Sequence, residues 1–181
     1  MSDSQPLVSI ITPSFNQARF LEETMLSVLN QDYPNIEYIV MDGGSTDASP
    51  EIILNYADRL GYWQSRKDKG QTDAINQGFA RAHGEIFAWL NSDDILYPDA
   101  VSAAVYQLQA HPEVGMVYAD CHWINAEGKV IGNFPAAQTN LKKLRRGYVH
   151  IPQQTAFFRA DLWRKVGPLD DSFYFAMDYD L

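Results

Sequence analysis

Residues 86–94 read IFAWLNSDD: five apolar residues run straight into Asn91-Ser92-Asp93-Asp94. So short a run without polar alternation suits a strand buried on both faces, as in a parallel sheet covered by helices. The same reading applies to residues 7–11, 36–41 and 114–118. Helical patterns lie between these runs. Phe20, Met25, Val28 and Leu29 recur at helical spacing, and Ser49-Pro50 reads as an N-cap followed by a proline at the first helical position. Residues 72–83 read as a third helix closed by Gly84, and Tyr97-Pro98 opens a fourth that His111-Pro112 stops. The order β-α-β-α-β-α-β-α-β predicts an α/β fold, an open and mainly parallel sheet flanked by helices with right-handed crossovers.

After Tyr118 the rhythm changes. Residues 123–134 hold a turn at Ala126-Glu127-Gly128 and read as a hairpin. A basic helix over 141–146, a strand over 155–159 and a short helix over 161–166 follow. At 181 residues, against roughly 150 per domain, the chain reads as a single domain. It stops at Asp180-Leu181 without a cap, a glycine or a polar tail, so we expect a domain cut short.

Fourteen basic and twenty-three acidic residues give a formal charge of -9, which argues against wrapping nucleic acid. One cysteine, Cys121, excludes an internal disulfide and any CxxC metal site. No apolar run approaches the ~20 residues of a membrane span, and the N-terminus lacks a leader pattern. The expected setting is cytoplasmic. Lys142, Lys143, Arg145 and Arg146 read first as a solvated helix face. The alternative is contact with a diphosphate or with the anionic inner face of a membrane.

Ligands of open α/β sheets bind beyond the carboxyl ends of the strands. Three such ends carry Thr12-Pro13-Ser14-Phe15-Asn16, then Asp42-Gly43-Gly44-Ser45-Thr46-Asp47, then Asn91-Ser92-Asp93-Asp94. Helix capping explains Asp47 and Ser49 well, and explains adjacent Asp93 and Asp94 poorly, because neighbouring carboxylates repel unless a cation or several donors answer them. Such a pair suits Mg²⁺ or Mn²⁺, which takes one or two carboxylates and completes its shell with water and substrate phosphates. The Gly-rich phosphate loops G-x-x-x-x-G-K-[ST] and G-x-G-x-x-G are absent, as is the G-x-S-x-G nucleophile elbow.

With these residues assembled, the chain resembles the family 2 inverting glycosyltransferases of the GT-A fold. The resemblance rests on five stretches in order: VSIITPSFNQ with LEETMLSVLNQ, YIVMDGGSTD, KGQTDAINQGFARAHGEIFAWLNSDD, PQQTAFFRADLWRKVGPLD and FAMDYDL. It implies a nucleotide-binding half over about residues 1–97 and a smaller acceptor half over about 98–181. It also implies metal-dependent transfer of a sugar from a nucleoside diphosphate, with a UDP-sugar as donor. A saccharide or lipid-linked hydroxyl acceptor, in polysaccharide or cell-surface glycan synthesis, goes with it. By position, Thr12, Pro13 and Asn16 line the nucleotide pocket and Asp42 meets the base. Lys69, Gly70 and Asp73 flank the nucleotide, Asp93 lies near the ribose, and Asp94 holds the metal. Asp178 takes the place of the general base, although Met177 stands where the family has an acid, which leaves Asp180 as a nearby competitor. Two other readings remain open: a nucleotidyltransferase, and a nucleotide-sugar-binding domain without chemistry.

Overall fold

A computed structural model describes residues 5–147 and 150–172. Strand β1 (Val8–Ser14) is buried along its whole length. It pairs in parallel with β2 (Ile36–Asp42) on one side and with β4 (Ile86–Trp89) on the other, and β3 (Tyr62–Ser65) extends the sheet beyond β2. Beyond β4 the sheet turns antiparallel through β8 (Phe157–Arg159) and ends at β5 (Met116–Val117), giving the order β3-β2-β1-β4-β8-β5. A separate antiparallel hairpin joins β6 (Cys121–Ile124) to β7 (Val130–Phe134).

Alternation along the central strands divides the core in two. Val8 and Ile10 of β1, Val40 of β2 and Ala88 of β4 face α1 (Ala18–Leu29), α2 (Ser49–Asn55) and α4 (Ala100–Ala110). Ile11, Ile39, Met41, Phe87 and Trp89 face α3 (Gln71–Phe79) and α6 (Ala160–Val166). On that second face Phe79, Phe87 and Phe158 stack or meet edge to face, with ring centroids 4.9–6.2 Å apart. Helices on both faces are what the uninterrupted apolar runs of the sequence require. The remaining helix, α5 (Leu141–Leu144), is capped by the Asn140 side chain and is mostly exposed.

Three local expectations are corrected. The run at 114–118 is not a fully buried parallel strand. Only Met116 and Val117 pair, antiparallel to β8 at the sheet edge, and both are half-buried, packed at the margins of the two core layers and lining a cavity. Ser49 lies inside α2 rather than capping it; its hydroxyl accepts from the Gln17 backbone N–H at 3.2 Å, and Asp47 accepts from the Ser49 N–H at 3.0 Å. Gly84 does not close α3, which ends at Phe79. It lies against β1, where a Cβ would come within 2.8 Å of both the Leu7 carbonyl and the Ser9 nitrogen.

This close approach sets a measurable cost. Gly84→Ala must push α3's connection away from β1, and because the opposing atoms are backbone, the strain is expected to cost roughly 1–3 kcal/mol. Thermal melting should then fall by roughly 3–10 °C. A variant that melts with the wild type would show that β1 yields at this point.

Candidate functional site

The chain leaves β1 toward β2 and β3 on one side and returns to β4 on the other, so the strand order reverses between β1 and β4. Open sheets of this kind hold ligands in the crevice at such a reversal. A cavity of about 580 Å³ opens there, lined by Pro13, Ser14, Lys67, Gly70, Ser92 and Asp93 among others. The Ser14 hydroxyl is buried and has no hydrogen-bond partner among the described residues. Buried polar atoms are nearly always paired, which makes this one an exception at the cavity's edge.

The loop after β2 is organised by Asp42, which is fully buried. Its carboxylate accepts from the N–H groups of Gly44 (3.1 Å) and Ser45 (2.9 Å) and from the hydroxyls of Ser45 (2.5 Å) and Ser65 (2.6 Å). Gly44 adopts φ +82°, and a Cβ there would lie 2.8 Å from the Lys67 nitrogen. Asn16, also left-handed at φ 54°, ties the loop after β1 to this one. Its N–H donates to Ser45 Oγ (2.7 Å), and its Oδ1 accepts from the Thr46 N–H (2.9 Å). Asp47 accepts from the Ala18 N–H (2.9 Å) at the start of α1. Burial works against its charge, but hydrogen bonds from Ser49 and Ala18 outweigh it and hold the carboxyl below its ordinary range.

Of the residues expected to line or flank a nucleotide, Pro13, Gly70 and Asp93 line the cavity, whereas Thr12, Asn16, Asp42, Lys69 and Asp73 do not; Thr12 and Asp42 are fully buried. Thr12 is buried and accepts from the Tyr38 hydroxyl at 2.9 Å. Asp73 accepts from the Lys69 N–H (3.1 Å) and the Gln77 amide (2.7 Å), which locks the first turn of α3. Sequence reasoning missed Asp68, which lines the cavity two residues before Gly70. Burial raises its carboxyl, the Gly70 N–H opposes, and the charges of Asp73 and Asp42 add to the rise.

The adjacent acids part company. Asp93 is exposed and lines the 580 Å³ cavity, while Asp94 lines a second, more apolar cavity of about 910 Å³ with Tyr97, His122 and Gln154. Burial pushes the Asp94 carboxyl up to about 6; the neighbouring Asp93 charge adds to this, and the Asn91 amide, 3.5 Å away, opposes it. Neither acid has an ion-pair partner among the described residues. Asn91 also accepts from Gln71 (2.7 Å) and donates to Gln153 (3.3 Å), whose own amide donates to the Trp89 carbonyl (2.8 Å). The amides Gln71 and Gln153 gave no signal in the sequence, because uncharged side chains do not stand out in a loop.

Among the described residues no group of three or more His, Cys, Asp or Glu side chains could hold a metal ion. A divalent cation at Asp94 would therefore draw ligands from water and from a bound phosphate group, as Mg²⁺ commonly does. The half-buried carboxylate, bonded only to the Asn91 amide and without an ion-pair partner among the described residues, fits such an ion. Asp178 and Asp180 lie outside the described residues. No helix among the described residues is long and apolar enough to cross a membrane.

The model for glycosyl transferase family 2 matches residues 9–177. Two uncharacterized glycosyltransferases of Mycobacterium tuberculosis are 36% identical over 180 residues, covering 98% of this chain and 68% of theirs. One from Rickettsia typhi is 31% identical over 185 residues, covering 97% of this chain and 57% of its own. Among solved structures, S. aureus TarS 1–349 in complex with UDP matches with a TM-score of 0.77 at 20% identity, over 96% of this chain and 53% of that one. Mannosyltransferase PcManGT from Pyrobaculum calidifontis, in complex with GDP-Man and Mn²⁺, matches with a TM-score of 0.73 at 23% identity, over 98% and 51%. At these identities the likeness speaks for the fold, the GT-A arrangement. This chain spans about half the length of those two structures and about two thirds of the mycobacterial relatives.

The Asp94 environment predicts a linked pair of effects. Its carboxyl is raised from 3.8 to about 6, so its contribution to stability is full below about pH 4 and is lost as pH rises through about 6. Asp94→Asn should therefore stabilise the metal-free protein at pH 7.5 by roughly 1–3 kcal/mol and flatten its stability between pH 4 and 7. The same variant should lose the extra melting shift that Mn²⁺ gives in the presence of a nucleoside diphosphate. A variant that keeps the wild-type pH profile and Mn²⁺ response would remove Asp94 from the site.

Proposed function

This chain belongs to glycosyl transferase family 2, and on that footing we propose that it transfers a sugar from a nucleoside-diphosphate sugar to a hydroxyl acceptor with inversion at the anomeric carbon. The observation that carries the reading is the Asn91–Asp94 turn, which stands between the cavity at the sheet's reversal point and the larger apolar one. In this reading residues 1–97 hold the donor and residues 98–181 receive the acceptor. A UDP-sugar is the expected donor and a saccharide or lipid-linked alcohol the expected acceptor, in polysaccharide or cell-surface glycan synthesis.

Pro13, Ser14 and Gly70 border the nucleotide, Lys67 faces its polar groups, and Asp93 meets the ribose. Thr12, Asn16, Asp42, Lys69 and Asp73 support that pocket from behind, as their hydrogen bonds within the loops suggest. Asp94 would hold Mn²⁺ or Mg²⁺, whose chemistry when bound is to offset charge on the departing diphosphate. The acceptor oxygen forms its bond to the anomeric carbon as the bond from that carbon to the diphosphate oxygen breaks. The hydroxyl proton passes to a carboxylate on the face opposite the leaving group. With Asp93 assigned to the ribose and Asp94 to the cation, the base comes from another segment in this reading, and Asp178 is assigned that role.

Incubation of the protein with Mn²⁺ and a panel of nucleotide sugars should release free nucleoside diphosphate. Release of pyrophosphate from a nucleoside triphosphate instead would mark nucleotidyl transfer, and nucleotide binding without turnover would mark a binding module. Asp178→Asn should retain donor and metal binding while kcat falls by roughly 10²–10⁴-fold, the usual range for loss of a general base. Near-normal turnover in that variant together with an inactive Asp180→Asn would move the base to Asp180.

A further inference from the structure

The stretch LEETMLSVLNQ, residues 21–31, forms most of α1 and contributes no side chain to the 580 Å³ cavity. Its apolar residues Leu21, Met25 and Val28 are buried against the sheet. A second stripe, Thr24, Ser27 and Gln31, follows the i, i+3, i+7 spacing that places side chains on one helical face. Each of the three makes a hydrogen bond to the backbone of the segment that begins at Asp94. Thr24, fully buried, donates its hydroxyl to the Asp94 carbonyl at 2.8 Å. Ser27 accepts from the Leu96 N–H at 3.1 Å while its own hydroxyl donates to the Thr24 carbonyl at 2.7 Å. Gln31, just past the helix end, donates to the Tyr97 carbonyl at 2.7 Å and accepts from the Val101 N–H at 3.0 Å.

We propose that Thr24, Ser27 and Gln31 are positioning residues for the divalent-cation ligand, holding the Asp94 backbone in register from a helix some seventy residues earlier in the chain. The assignment rests on the reading of Asp94 as that ligand. The turn itself is closed by one backbone bond, from the Asp94 N–H to the Asn91 carbonyl at 3.1 Å, and by the long contact of 3.5 Å from the Asn91 amide to the Asp94 carboxylate. The chain that follows it has no regular structure until α4 begins at Ala100. Farther along, this segment is also tied by the Asp32 N–H to the Pro98 carbonyl (3.0 Å) and by the Tyr97 hydroxyl 2.7 Å from His122 Nδ1 of β6, but the bonds nearest Asp94 come from the α1 stripe. Thr24 occupies the decisive place, since its bond ends on the peptide group of the ligand residue itself. Thr24 acts on the carboxylate through the backbone that carries it, and outer-shell partners of a metal ligand typically govern metal affinity by roughly 10–100-fold.

The test reads the Mn²⁺ concentration that half-saturates the melting shift of the whole protein in the presence of UDP, with UDP affinity measured separately without metal. Thr24→Val keeps the shape of the side chain but removes the donor, and should raise the half-saturating Mn²⁺ by roughly 10–100-fold while leaving metal-free UDP affinity within about threefold. Thr24→Ser restores the donor and should return the value to within about threefold of wild type. Tyr33→Phe removes a different buried hydroxyl, bonded to the Pro6 carbonyl at 2.7 Å, and should lower melting without moving the Mn²⁺ value. Should Thr24→Val not fold, Ser27→Ala carries the test, with a rise of about threefold or more expected. A Thr24→Val or Ser27→Ala protein that responds to Mn²⁺ like wild type, while Asp94→Asn loses the response, overturns the positioning role alone. An unchanged response in Asp94→Asn overturns the ligand assignment and the positioning role with it.

Discussion

Burying β1 on both faces constrains almost everything else in this molecule. A strand between two helix layers has no solvent side, so each polar group along it must find a protein partner or lie at an end. Ser9 accepts from the Gly84 N–H and donates to Glu37 at 2.5 Å, and Thr12 takes the Tyr38 hydroxyl. The partner that Ser9 finds brings its own cost, because Glu37 is held half-buried. Burial raises its carboxyl, yet hydrogen bonds from the His83 backbone and ring and from Ser9 outweigh that and lower it. Only Ser14, at the carboxyl end, is left without a partner among the described residues. The same burial that makes the sheet stable therefore expels unsatisfied polarity to one rim, and the rim is where the cavity lies.

Charge at that rim has an awkward sign. Asp42, Asp68, Asp73, Asp93 and Asp94 gather on a chain of formal charge -9, and Lys67 is the basic residue that lines the cavity. Asp42 and Asp73 are answered by donors from their own loops, so their charge is spread over fixed hydrogen bonds. Asp68 and Asp94 instead show carboxyls raised by burial and by neighbouring charge. Adding an anionic phosphate group to such a rim is unfavourable unless positive charge arrives with it. The division of labour among these acids follows: some organise loops, and Asp94 stays short of positive charge.

Much of this was legible in the sequence, for physical reasons that also explain the gaps. Apolar runs without alternation mark strands covered on both faces, and residues 7–11, 36–41 and 86–90 lie in or overlap β1, β2 and β4. Periodicity says nothing about which strand pairs with which, so the antiparallel insertion of β8 between β4 and β5 had no signature. Gly84 looked like a helix terminus because glycine also ends helices, whereas its role is to let two backbones approach. At the site, Asn16 and the acids other than Asp68 were found, and the glutamines Gln71 and Gln153 were not singled out. Gln71, Asn91 and Gln153 form a connected chain of side chains from α3 to the segment before β8, and although Asn91 stood in the strand-end turn the sequence marks, nothing marked its two glutamine partners. The Thr24 and Ser27 hydroxyls were hidden in the same way, inside a helix whose apolar spacing drew attention to the neighbouring stripe.

These unobtrusive residues share one target. The turn at Asn91–Asp94 is held by α1 through Thr24, by α3 through Gln71, and by the segment before β8 through Gln153. Three elements from distant parts of the chain thus fix four residues, and two cavities meet across them. Consecutive acidic side chains at such a turn can serve different spaces only if the backbone between them does not rotate, since a rotation that brings Asp94 toward the smaller cavity would carry Asp93 away from it. Side chains that must act from a loop are held to useful tolerance by neighbours on rigid elements. Here the rigidity comes from two helices and a strand-flanking segment, all bonding through neutral hydroxyls and amides. Neutral donors are well suited to this, because they fix the backbone and the Asn91 amide without supplying charge. They leave the Asp94 carboxylate unneutralised where a cation can meet it.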